Sequence, residues 1–155
     1  MKLNFGILFL VMAALIAIAT AVAHLSCIYF GPECYSVQMA PPFVVKWAQE
    51  GSYLAPLAAV VVSSVFIVMG LYALSGAGLI RRLPLLKLGL YTISAVCIIR
   101  GLLGMQLWLR HQKQIDVSIF YAGVVWFIAG LLFLFGCRMN SSKLTKYALL
   151  QEKGS

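Results

Sequence analysis

Four runs of about twenty apolar residues divide this chain, and a water-soluble fold of its length has no core large enough to bury them. They extend from Phe5 to Ala23, from Ala55 to Leu74, from Leu85 to Leu109 and from Ser118 to Cys137. As helices, each is long enough to cross a hydrocarbon layer of about 30 Å. Composition agrees: of 155 residues, 63% are hydrophobic and 10% charged, where soluble domains carry about 25% charged residues. The pattern predicts an all-α integral membrane four-helix bundle over residues 1–137, followed by a basic tail over 138–155.

A net charge of +8 would suggest nucleic acid as a partner of a soluble protein. Here the basic residues gather at the ends of apolar runs, a placement that reads as membrane topology and attraction to anionic headgroups. One side holds eight (Lys2, Arg81, Arg82, Lys87, Arg138, Lys143, Lys146 and Lys153), and the other holds three (Lys46, Arg110 and Lys113). By the positive-inside rule both termini and the turn from Ser75 to Pro84 are cytoplasmic, and the loop from His24 to Leu54 faces outward. Ser75, Gly76, Gly78 and Pro84 make that connection a turn. Lys2, the first apolar run and Ala21-Val22-Ala23 also resemble a secretory signal with its cleavage site. The run from Phe5 to Ala23 is 19 residues long, however, against the roughly 7 to 15 of a signal's apolar region.

Helices in lipid associate by close packing, so small residues at helical spacing mark their contact faces. Ala13, Ala17 and Ala21 align on the first run, and Ala55, Ala59, Ser63 and Gly70 on the second. The third offers Ser94, Cys97, Gly101, Gly104 and Trp108, and the fourth Gly123, Gly130 and Cys137. These stripes predict a tight bundle and name no substrate.

Arg100 is the residue that most invites a function, because a charge deep in a membrane helix is costly and rare. It lies about 14 Å along the helix from Leu109 and about 20 Å from Lys87. Helical side chains lean toward their N-terminus, here the farther surface. With Cys97 three residues before it and Gly104 four after, Arg100 is expected to face the bundle interior. Ser63 and Ser64 fall at similar depth as candidate hydrogen-bond partners. No Asp or Glu lies at that depth, which leaves backbone carbonyls, water, an outer-loop acid, or an anionic lipid or small molecule as the partner. The same absence separates this chain from proton-coupled exporters of similar size.

Cys27 and Cys34 stand in the outer loop with Gly31-Pro32 between them, and in an oxidising compartment they are expected to form a disulfide. The spacing is not the C-x-x-C of a thioredoxin-like centre. Further on, Phe43, Val44, Trp47 and Ala48 share one helical face and Lys46, Gln49 and Glu50 another, with Gly51 as terminator. This predicts a short amphipathic helix on the outer leaflet, anchored by Trp47. His24 and His111 lack metal-ligand spacing, so neither a metal nor another cofactor is expected. The tail, with Leu144, Tyr147 and Leu150 among lysines, reads as a surface helix held by anionic lipid.

The segment Gly70-Leu71-Tyr72-Ala73-Leu74-Ser75-Gly76-Ala77-Gly78, continuing through Arg81-Arg82-Leu83-Pro84-Leu85-Leu86, resembles one found in small bacterial four-pass membrane proteins. The resemblance covers the second and third helices and their turn. It implies a bacterial inner-membrane location and carries no activity with it. The expectation is a non-enzymatic protein of that membrane, an accessory subunit or a binder of an anionic lipid or small molecule through Arg100. Its partners are expected to be membrane lipids and a second protein or further copies of itself, not nucleic acid. A small homo-oligomeric transporter or channel is the alternative, and a membrane thiol-redox enzyme the third.

Overall fold

The computed structural model describes residues 4–111 and 116–152, with side chains as far as Asn140. Lys2, Lys113 and Lys153 lie outside the described residues, as do the side chains of Lys143 and Lys146. The chain is all-α: α1 (Phe5–Phe30), α2 (Pro32–Val37), α3 (Pro42–Gln49), α4 (Leu54–Ala77), α5 (Leu86–Arg110) and α6 (Ser118–Glu152). Four spans, Phe5–Phe30, Leu54–Ala77, Leu86–Arg110 and Ser118–Asn140, are long and apolar enough to cross a membrane, which makes this a multi-pass membrane protein. Lipid offers no hydrogen bonds to a backbone, so even sequences rich in valine and isoleucine close their N–H and C=O groups into helices there.

Three elements depart from the sequence reading. α1 runs on through Phe30, past the end of its apolar run at Ala23. α2, a single turn and a half opened by Pro32, was not foreseen. The tail is not a separate helix, because α6 continues unbroken past Arg138 to Glu152.

Two compact units partition the chain, residues 1–14 with 71–155, and residues 15–70. In the first, all four long helices meet around Leu10, Leu90, Phe133 and Cys137, each fully buried. A Cβ added to Gly76 would lie 2.8 Å from the Leu90 side chain and 3.1 Å from that of Leu10, and one on Gly136 would strike Leu10 at 2.6 Å. α4 ends where Gly78, at φ +77°, turns the chain: the Gly78 N–H donates to the Ser75 carbonyl and the Leu79 N–H to that of Leu74. Ser75 then organises the turn, its buried hydroxyl donating to the Arg81 carbonyl and accepting from the Leu83 N–H.

In the second unit, the α1 stripe of Ala17 and Ala21 and the α4 stripe of Ala55, Ala59 and Ser63 are all buried. Between these helices α2 and α3 form a small cap over a core of Cys27, Tyr35, Val44, Ala55 and Ala59. Gly51, at φ +69°, closes α3, with the Ser52 N–H donating to the Trp47 carbonyl and its own N–H to that of Ala48.

Candidate functional site

α5 presents Leu86, Leu90, Ser94, Cys97, Gly101 and Gly104 as its buried face, spaced four, four, three, four and three. This face meets α6 in backbone contact. A Cβ on Gly101 would sit 2.6 Å from the Phe127 nitrogen and 2.7 Å from the Gly123 carbonyl oxygen, and one on Gly130 would sit 2.9 Å from the Ile98 nitrogen. The Ser94 hydroxyl donates to the Gly130 carbonyl at 2.8 Å, adding a polar tie inside the apolar contact. The rotation of α5 about its axis is thereby fixed, and with it the direction of Arg100.

Arg100 is exposed. It precedes Gly101 by one residue, about 100° around the helix, which carries it past the edge of the packed face. The expectation that it points into the bundle is therefore corrected. Its distance of three residues from Cys97 and four from Gly104 places it beside the small-residue stripe, and a flanking position is covered or open according to what stands next to it. Among the described residues Arg100 has no ion pair. None of the four spans contains Asp or Glu. α5 is 25 residues long, about 37 Å, and Arg100 lies about 3 Å from its midpoint, so in a hydrocarbon layer of about 30 Å centred on the helix its Cα stands about 12 Å from the nearer boundary. An uncompensated arginine at that depth costs about 3 kcal/mol by insertion measurements and more by calculation.

The two serines named with Arg100 belong to the other compact unit. Ser63 is 1% exposed and its hydroxyl donates to the Ala21 carbonyl at 3.1 Å, tying α4 to α1. Ser64 is exposed, and its hydroxyl donates to the Val60 carbonyl of its own helix at 2.7 Å. Both hydroxyl protons are thus engaged within that unit.

In the cap, Cys27 and Cys34 stand at disulfide distance, 2.03 Å between sulfurs and 5.1 Å between Cα atoms. The Gln38 side chain donates to the Ala23 carbonyl at 2.5 Å, fastening the end of α2 back to α1. Trp47 packs against the cap core and meets Phe43 edge-on at 5.1 Å, so only part of its ring is open. The aromatic rings that stand open in this region are Tyr29, Phe30, Phe43 and Tyr53. Phe43, expected beside Val44 on the apolar face, points outward while Val44 points in. Tyr35, which the sequence reading did not single out, is 5% exposed and its hydroxyl has no hydrogen-bond partner among the described residues. Burial pushes its pKa up. Its place directly after Cys34 was the available signal.

His24 stacks on Phe66 with ring centroids 5.4 Å apart, and the His111 ring lies 3.3 Å from the Leu107 carbonyl. No cluster of three potential metal ligands occurs among the described residues.

Comparison with family models, curated proteins and solved structures gives no match.

One side chain stands apart in this geometry. Arg100 is a permanent cation at mid-span, turned toward whatever surrounds the protein in the plane of the bilayer.

Proposed function

We propose that this protein is a non-enzymatic interaction protein of a bacterial inner membrane, and that Arg100 is the residue through which it engages an anionic group outside its own chain. The observation that carries the reading is the exposure of Arg100 at mid-span with no carboxylate in any span to neutralise it. A guanidinium offers five donors in a rigid fork suited to carboxylate or phosphate. The excess of lysine and arginine at the termini and the 75–84 turn supports cytoplasmic ends, which puts the Cys27–Cys34 pair on the oxidising face, where a disulfide persists.

The test is to purify wild type and Arg100→Leu in a lipid-preserving system and compare, by mass spectrometry, what accompanies each. Loss of one anionic lipid, small molecule or protein from an otherwise folded variant is the expected result. Identical companions in both would overturn the reading.

A further inference from the structure

One residue before Cys97, Gly101 and Gly104 of the packed α5 face, and before the half-buried Trp108, lies a second stripe: Val96, Arg100, Leu103 and Leu107. All four members of the second stripe are exposed. Their spacing of four, three and four keeps them on one line along the helix, the period by which one helix seats against another. The protein thus offers a helix-docking face with a cation in its middle that none of the described residues buries.

The depth of that cation selects the occupant. Lipid phosphates lie beyond the hydrocarbon boundary, about 12 Å from Arg100. The side chain leans toward the N-terminus of α5, the farther boundary, which lengthens the reach. A carboxylate carried on a neighbouring helix can stand at that depth without thinning the bilayer. A second copy of this chain cannot supply it, because no span holds an Asp or Glu, and Glu33, Glu50, Asp116 and Glu152 all lie beyond the span ends. Resting on the function proposed above, we infer that the Val96–Arg100–Leu103–Leu107 face docks a transmembrane helix of a different polypeptide, and that this helix carries an Asp or Glu near mid-membrane opposite Arg100. Charge complementarity in hydrocarbon then selects the partner, because the same face against an apolar helix leaves the guanidinium unpaired.

The experiment is site-specific photo-crosslinking in the cells that make the protein, with the probe at Leu103 on the stripe and, as control, at Leu102, which lies about 160° around the helix from Arg100. The Leu103 probe is expected to give one adduct with another polypeptide whose transmembrane segment bears a central acid, and the Leu102 probe to give none. Adduct yield should fall about tenfold or more with Arg100→Leu, recover in part with Arg100→Lys, and fall equally when the partner's acid is changed to its amide. The last variant leaves this chain untouched, so a folding defect here cannot imitate it. A Leu103 adduct with lipid alone or with a second copy, no adduct at all, or a yield indifferent to Arg100→Leu would each overturn the inference. If an anionic lipid is what the purified Arg100→Leu variant loses, the proposed function stands and the acid-bearing partner falls. If the variant loses nothing, both fall.

Discussion

The α5–α6 contact and the cap between α1 and α4 hold their elements together by opposite means. At α5–α6 side chains are nearly absent from the closest approach, where Gly101 and Gly104 meet Gly123 and the backbone of Phe127. In the cap, side chains do the holding: Tyr35 and Val44 are buried, and Cys27 and Cys34 stand at disulfide distance. The difference follows from the competing solvent. Lipid tails are as apolar as leucine, so burial alone gives two helices no reason to associate, and only an approach too close for lipid does. α2 and α3 have six and eight residues, too short to be stable as isolated helices. They depend on a hydrophobic core and a cross-link, as small folds with little core of their own do.

The hardest blow to this contrast is Gly101→Val. Its Cβ would overlap backbone that no rotamer change can move aside, and the expected loss is at least the 1–3 kcal/mol typical of overpacking, read from denaturant unfolding in bicelles. Gly104→Ala sharpens the point, since there an added Cβ meets its nearest atoms at 3.4 Å, an ordinary contact. It should stay within about 0.5 kcal/mol of wild type. Equal effects at the two positions would mean that helix separation is not set at Gly101.

Next in size is the double substitution Cys27→Ser with Cys34→Ser. Opening so short a loop should cost the cap about 2–3 kcal/mol. Hydrogen exchange should show protection lost across residues 31–53 and retained from Ser94 to Gly104. Loss in both regions would mean that they unfold as one.

The smallest effect is expected at Tyr35. Because its hydroxyl is buried without a partner, Tyr35→Phe should leave the cap unchanged or stabilise it by up to about 1 kcal/mol. The pH dependence has a definite sign. Burial raises the folded-state pKa, so the neutral ring's contribution is fully present below the ordinary tyrosine value and lost as pH rises through the raised one. Alkaline loss of cap protection in wild type and its reduction in Tyr35→Phe is the expected pair of results. A phenol that titrates at the ordinary value would remove the burial argument.

Much of this fold could be read from local spacing. Four apolar runs implied four membrane helices, and the small residues picked out on them are buried, from Ala13, Ala17 and Ala21 to Gly123, Gly130 and Cys137, with only Trp108 at the end of the α5 stripe half-buried. Gly51 and Gly78 each end a helix in the left-handed conformation that glycine tolerates best. Such features are legible because they answer to lipid or to the chain within one turn. The cap was less so. α2 is too short to show a period, and the facing of Phe43 and Trp47 depends on a core assembled from four separate segments.

Sequence alone determined that this protein crosses a membrane four times, which surfaces of its helices pack, and that a lone cation lies at mid-span without a carboxylate in any span. Only the tertiary structure decided which way that cation faces. A residue at the centre of a stripe is committed by the stripe, but Arg100 stands at the edge of one. Its exposure was settled when backbone contact between Gly101, Gly123 and Phe127 fixed the rotation of α5, a long-range steric constraint that no local spacing encodes.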